Sequence, residues 1–345
     1  MRSKTPSRRA MALAALLLFS AALYGCRGCL GQSDADVVVY TSVDQVFSEP
    51  IFRYCQQSTG LRVRAVFDTE ETKSTGILNR LIAEANRPQA DVFWSGDPVR
   101  PFVLMDRGLV EPYVSTLAAD LPASFRAKDG AWSGFAARAR VLLVNSKRVA
   151  VDAMPRSILD LVDSRWRGQT AIANPLFGTT TMHIAALFVE WGDEKTRRFL
   201  ASLRENKVRV ASSNGEVKRL VIAGEVAFGL TDTDDAHQAV QSGAAVSVVY
   251  PDQGGIGTLV MPTTTVLIKG GPYPSNGRRL IDCLLRSEVE RQLAEAAAHM
   301  PLRRGVKTPV GVRRVGDIRA MKVNYGQVAK TMKRIEPWLR EWVGL

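Results

Sequence analysis

Short apolar runs bounded by glycine, asparagine or aspartate alternate along this chain with stretches whose apolar positions recur at helical spacing. Val37-Val38-Val39-Tyr40 opens the folded part as a buried strand. Val46 to Ser58 reads as a helix ending before Gly60, and Leu61 to Phe67 as a strand. Thr75 to Ala85 carries Ile77, Leu78, Leu81 and Ile82 on one helical face, and Ala90 to Trp94 is a short strand. Further strands are expected at Val141 to Asn145, Thr170 to Ala173, Val208 to Ala211, Val226 to Leu230, Val246 to Tyr250 and Thr265 to Ile268. Helical patterns separate them at Thr180 to Trp191, Glu194 to Leu203, Val217 to Ala223 and Arg278 to Leu285. An amphipathic helix carrying Trp338 and Trp342 closes the chain. This alternation predicts an α/β protein with mostly parallel sheets and helices on both faces. In such sheets ligands sit at the carboxyl ends of strands, where loops and helix N-termini converge.

The N-terminal stretch departs from this pattern. Arg2, Lys4, Arg8 and Arg9 precede an apolar run from Ala10 to Leu23, too short for a comfortable membrane span. Leu23-Tyr24-Gly25-Cys26 follows and resembles a lipoprotein lipobox, so residues 1–26 are expected to form a lipoprotein signal with Cys26 lipidated. An ordinary cleaved signal peptide is the alternative. Residues 27–35 then form a polar tether. The chain is expected to be exported, to the periplasm or outer cell surface, and lipid-anchored to a membrane. Removing the four basic residues before the lipobox lowers the formal charge from +12 to +8, spread without any long run of like charge. No aromatic-basic stripe marks a nucleic-acid partner. About 320 remaining residues exceed the size of a single growing core, so two lobes are expected. Cys55 and Cys283 lie in separate helical stretches, where buried free thiols are the default and a bridge between them the alternative.

Several blocks carry a family resemblance. They are Val38-Val39-Tyr40-Thr41-Ser42-Val43-Asp44, Pro88-Gln89-Ala90-Asp91-Val92-Phe93-Trp94-Ser95 and Arg138-Ala139-Arg140-Val141-Leu142-Leu143-Val144-Asn145. Ala223-Gly224-Glu225-Val226-Ala227-Phe228-Gly229-Leu230 and Tyr250-Pro251-Asp252-Gln253-Gly254-Gly255 follow in order. Together they resemble the ferric-binding, iron(III)-transport branch of the bacterial extracellular solute-binding proteins of ABC importers. The resemblance implies a type II periplasmic-binding fold of two lobes joined by hinge strands. By analogy residues 36–140 with 262–305 form the first lobe, and 141–261 with 306–345 the second. It also implies a monomer that hands a small-molecule ligand to permease and ATPase subunits. The family's iron ligands are replaced: where a histidine, a glutamate and a tyrosine pair are expected stand Asp44, Gly96 beside Asp97, and Asp234-Asp235. Carboxylates are hard donors for Fe(III), so Asp44, Asp97, Asp234 and Asp235 are the metal candidates should iron be the cargo. No resident cofactor is expected.

The residues themselves suggest a ligand with two kinds of charge. Arg138 and Arg140 lie two apart at a strand start and are expected to face opposite ways, only one entering the cleft; the resemblance favours Arg138. A guanidinium there grips carboxylate, phosphate or phosphonate. Thr179 and Thr180 open one helix and Asn214 another, adding hydroxyl, amide and backbone donors for an anion, although helix capping explains part of this pattern. Opposite this basic half, Asp232, Asp234 and Asp235 follow a strand ending at Leu230, with Asp252 at the end of the next. One aspartate is expected to cap the following helix, and the others to meet a cation or a substrate's ammonium. Thr41, Ser42 and Asp44 are expected to line the facing lobe, with Trp94 as a flat wall or core residue. His183 and His299 fall in helical patterns and read as structural. No nucleophile elbow, Cys–His pairing, His-Glu-x-x-His or complete phosphate loop is present, which argues against an enzyme. The reading is therefore a receptor for a small anionic or zwitterionic solute of phosphonate or sugar-phosphate type. Carboxylate-held Fe(III) with a synergistic anion is the runner-up; a sensor-associated binding protein or an exported hydrolase are the rivals of another class.

Overall fold

A computed structural model describes residues 35–68 and 75–344. Cys26 and residues 27–34 of the tether lie outside the described residues.

From the N-terminal side, strand β1 (Val37–Thr41) leads to helix α1 (Gln45–Thr59), β2 (Val63–Phe67), α2 (Thr75–Ala83) and β3 (Val92–Ser95). Helix α3 (Arg100–Asp106), β4 (Val110–Glu111) and the long β5 (Ser133–Asn145) follow. Next come β6 (Thr170–Ala173), α4 (Gly178–Trp191), α5 (Asp193–Glu205), β7 (Arg209–Ala211), α6 (Asn214–Ile222), β8 (Phe228–Asp232), α7 (Thr233–Gln241) and β9 (Val246–Val249). The chain continues through β10 (Val260–Ile268), α8 (Pro274–Leu284), α9 (Ser287–Ala297) and α10 (Tyr325–Val343). Helix α1 stops where Gly60 takes a left-handed conformation (φ 73°) and its N–H closes on the Gln56 carbonyl.

The strands run in the order β2-β1-β3-β10-β5-β8-β6-β7, with β4 on β10 and β9 on β5. The outer groups are parallel: β1 with β2 and β3, and β6 with β7 and β8. Between them β10 and β5 pair antiparallel, so the sheet is mixed. Strand β5 belongs to both halves. Its Ser133–Ala139 stretch pairs with β10, and Arg140–Asn145 pairs with β8 and β9. Two large cores flank this crossing. One gathers β1, β3 and helices α1 and α8 around residues such as Phe52, Phe93 and Leu280. The other gathers α4, α5 and α10 around Leu142, Phe188, Leu200 and Leu339.

A bulge interrupts β5 just before the crossing. The register against β10 slips between Pro262 and Thr263, leaving Ala136 unpaired at φ 44°. Its N–H is redirected to the buried Glu290 carboxylate at 3.0 Å. Glu290 also accepts from the Leu302 N–H and from the Arg303 guanidinium. The strained bulge is thus held by a buried carboxylate rather than by the ladder.

The structure departs from the sequence expectations in several places, among them the following. Strand β5 begins at Ser133, not Val141, because the small and cationic residues of Ser133–Arg140 hide its pleat. Helix α9, not anticipated, restarts after a break at Arg286. Strand β8 spans Phe228–Asp232 and not Val226 to Leu230; Val226 and Ala227 lie before it, and the Ala227 N–H goes to the Gln169 carbonyl. Cys55 and Cys283, expected as free thiols, are joined in a disulfide that ties α1 to α8 across 228 residues of sequence. Reducing it, or replacing both cysteines by alanine, is expected to cost about 2–5 kcal/mol in denaturant unfolding; an unchanged midpoint would show the bond is not formed.

His183 and His299 are buried, as a structural role requires. Desolvation, and then the charge of Arg140 and Arg138 respectively, pushes each imidazole down to about 3. In an unfolded chain histidine titrates near about 6.5, so below that pH the unfolded state binds more protons and the fold loses stability. His299→Gln is expected to flatten the decline of the urea midpoint between about pH 6.5 and pH 4.5. An identical slope in the variant would contradict this assignment.

Candidate functional site

The register of β5 against β8 builds the site. Arg140 stands opposite Asp232, the last residue of β8. Arg138 projects from the same side of β5, because side chains two apart on a strand share a face. The expectation that the two arginines diverge is therefore overturned. Both guanidiniums meet Asp232, Arg140 Nη1 at 2.5 Å and Arg138 Nη1 at 3.5 Å.

Arg140 is locked. Its side chain is fully buried. Nη1 also donates to Thr179 Oγ1 at 2.9 Å and Asn214 Oδ1 at 3.0 Å, while Nη2 donates to Thr180 Oγ1 at 3.2 Å. Asp232 in turn accepts from the Thr179 hydroxyl at 2.8 Å and the Asn214 amide at 3.2 Å. The expected anion socket of arginine, threonines and Asn214 exists, then, but Arg140 forms it and Asp232 fills it. Basic and acidic halves do not face one another across a gap here; they interlock. Breaking such a buried pair leaves an uncompensated charge, at a cost of about 3–5 kcal/mol.

Arg138 is held more loosely. Its side chain remains 21% exposed, and Nη1 lies 3.5 Å from both Asp232 and Asp234, at the outer reach of an ion pair. Its best bond is from Nη2 to the Gly96 carbonyl at 3.1 Å, on the β3 side of the sheet. Burial by itself lowers the pKa of this guanidinium, but Asp234, Asp232, Asp97 and Asp44 outweigh it and the net shift is upward. Four of the predicted carboxylates therefore act on one cation.

The loop that presents Gly96 is tightly seated. A side chain at Gly96 would meet the Ser42 carbonyl at 3.3 Å, and the Gly96 N–H donates to Ser42 Oγ at 3.0 Å. Asp97 Oδ1 accepts from the Val99 and Arg100 N–H groups, capping the start of α3. Asp44 lies exposed at the start of α1. Thr41 is further back: its buried hydroxyl is spent on the Trp94 carbonyl and the Val43 N–H. Trp94 is fully buried between Phe52 and Phe135, a core residue and not a cleft wall.

On the β8 side, Asp234 Oδ1 accepts from the Asp235 N–H, and Asp235 pairs with Lys218 at 3.0 Å. Burial, and then the neighbouring Asp234 charge, raises the Asp235 carboxyl, with Lys218 opposing. Sequence reasoning passed over Lys218, although it lies one helical turn after Asn214 and so shares its face. Asp252, expected among the cleft carboxylates, instead accepts from the Ser157 hydroxyl at 2.5 Å and the Ile158 N–H at 3.4 Å. It anchors a separate loop, reached through its left-handed backbone at φ 62°. Among the described residues no group of three or more His, Cys, Asp or Glu is placed to hold a metal ion. Asp97, Asp234 and Asp235 are each already engaged.

Comparison with known proteins agrees with this architecture. Iron uptake protein A1 of Synechocystis sp. (strain ATCC 27184 / PCC 6803 / Kazusa) is 25% identical over 297 residues, 83% of this chain and 81% of that protein. A putative 2-aminoethylphosphonate-binding periplasmic protein of Salmonella typhi is 23% identical over 291 residues, covering 83% and 79%. Among solved structures, the apo ferric ion-binding protein A of Pasteurella haemolytica superposes with a TM-score of 0.79 at 21% identity, over 89% of this chain and 97% of that one. The fold is thus that of the two-lobe periplasmic binding proteins, with β5 running between the halves. The sequence profile of bacterial extracellular solute-binding proteins matches residues 88–314, and this chain belongs to that family.

Proposed function

We propose that this chain is the receptor of an ABC importer for a small zwitterionic solute carrying a phosphonate or phosphate and an amine. Residues 36–140 with 262–305 and residues 141–261 with 306–345 form the two lobes, and closure about β5 traps the ligand. Location in the periplasm or on the outer cell surface, anchoring through a lipid on Cys26, delivery to permease and ATPase subunits and action as a monomer belong to the same proposal.

One observation supports this reading above the others: Arg138 is partly exposed, held by long ion pairs and one bond to the Gly96 carbonyl, and surrounded by carboxylates from both sides of β5. A ligand anion can take its Nη1 at little cost, because charge-assisted bonds near 2.8 Å are stronger than the 3.5 Å pairs they replace. Asp234, Asp97 and Asp44 would then face the ligand's ammonium. A purely anionic solute would meet those carboxylates unrelieved, which is why a zwitterion fits better. The curated relatives divide between iron uptake and 2-aminoethylphosphonate binding by name. Iron would have to release Asp97 from the α3 cap and Asp235 from Lys218 before three carboxylates could meet on it.

Three outcomes are expected. Adding 2-aminoethylphosphonate should raise the melting temperature of the purified protein by mass action, with a matching adduct in native mass spectrometry. Arg138→Ala should weaken that binding by about tenfold or more, about 1.4 kcal/mol, while the protein stays folded; affinity within twofold of wild type by calorimetry would remove Arg138 from the site. Arg140→Ala should act differently, lowering unfolding stability by about 3–5 kcal/mol because buried Asp232 loses its close partner and keeps only the long pair to Arg138. A charge-transfer band on adding Fe(III) with citrate at neutral pH would favour the metal reading instead.

A further inference from the structure

One aromatic side chain is left over by the fold, and it stands close to the arginine pair. Phe177 is 63% exposed, and among the described residues every other phenylalanine, tyrosine and tryptophan is buried or half-buried. It ends the turn between the carboxyl end of β6 and the start of α4. That turn is pinned. The Asn174 N–H donates to the Ala211 carbonyl at 2.8 Å, Asn174 Oδ1 accepts from the Leu176 N–H at 2.9 Å, and the Asn174 carbonyl accepts from the Phe177 N–H at 3.2 Å. Leu176 packs onto the core shared by α4, α5 and α10, while Phe177 turns out to solvent. Phe177 is also the N-cap of α4 and supplies no acceptor there. Serine, threonine, asparagine and aspartate are the residues that stabilise this position, so the ring serves neither the core nor the helix start. An N-cap side chain projects beside the first-turn N–H groups, and this first turn belongs to the solute site. Two residues on, the Thr179 hydroxyl meets Asp232 Oδ2 at 2.8 Å, the same oxygen that Arg138 Nη1 approaches at 3.5 Å.

We propose that Phe177 is a specificity-determining residue, its ring covering the hydrocarbon spacer between the phosphonate and the ammonium of the solute. This rests on the reading above, in which Arg138 takes the phosphonate and the Asp234, Asp97 and Asp44 carboxylates face the ammonium. All of those groups are polar, and the methylenes between the two charges have no counterpart among them. Methylenes moved from water onto an apolar face are stabilised by the hydrophobic effect, and the ring is withdrawn from water in the same contact. A bare phosphate or a hydrated metal ion offers no such surface. The ring therefore favours solutes whose charges are held apart by carbon.

The test is calorimetric titration of the full chain with aminomethyl-, 2-aminoethyl- and 3-aminopropylphosphonate, on the wild type and on the variants Phe177→Ala and Phe177→Leu. Alanine removes the ring without adding a cap, and leucine keeps most of the apolar surface. F177A should bind 2-aminoethylphosphonate about five- to tenfold more weakly, and the loss should grow about two- to fourfold with each methylene along the series. F177L should stay within about threefold of the wild type. Without ligand both variants should keep the wild-type melting temperature, because the ring is exposed; a lower one in both would make Phe177 a residue of the fold and overturn the proposal. Equal binding by wild type and F177A, or one and the same loss for all three phosphonates, overturns the proposal and leaves the receptor reading standing. A loss in F177L as large as that in F177A also overturns it, by assigning the face of the ring to the ammonium. Wild-type protein that binds none of the three overturns the receptor reading itself, and this assignment with it.

Discussion

The buried pair between Arg140 and Asp232 is the constraint on which the rest of the site depends. It fixes where β5 meets β8, and it satisfies the donors at the starts of α4 and α6 through Thr179, Thr180 and Asn214. A binding protein could leave such a socket open for an external anion. Here the chain supplies the anion itself, and Arg140 is occupied by internal charge. What remains adjustable lies one pleat earlier, at Arg138. The contrast is one of distance and solvent: 2.5 Å and fully buried against 3.5 Å and partly exposed.

That contrast also explains how one strand can serve both as a crossing and as part of the site. Arg138 and Arg140, two residues apart and both past the bulge at Ala136, share a face although one lies beside β10 and the other beside β8. Glu290 holds the bulge from the outside. Arg138 then reaches the Gly96 carbonyl after β3 as well as the Asp232 and Asp234 carboxylates at the end of β8, bridging the two outer groups of strands from β5. In the proposed reading, a ligand that competes for Arg138 would compete with that contact and so couple occupancy to the relation between the halves.

Much of this fold was legible in the sequence because its strands are short β-branched runs between helical patterns. Val37-Val38-Val39-Tyr40 and Thr170 to Ala173 needed no tertiary information. Strand β5 was half hidden, since Gly134, the alanines and two arginines carry none of the usual strand signature. The site was legible as a set of residue types and misread as an arrangement. Arg138, Thr179, Thr180, Asn214, Asp232 and Asp234 do come together, yet their pairing is a matter of register, which one chain's sequence leaves open. The same holds for Cys55 and Cys283, whose union depends on α1 packing against α8. Asp252 was assigned by its position at a strand end, and a left-handed turn sends it to Ser157 instead.

A crystal structure of the protein soaked with an aminophosphonate tests the division of labour between the two arginines most directly. The phosphonate oxygens should lie on the Arg138 guanidinium, with the ammonium toward Asp234 or Asp97 and the Arg140–Asp232 pair unchanged. A phosphonate seated on Arg140 with Asp232 driven out, or a ligand bound away from both, would contradict it.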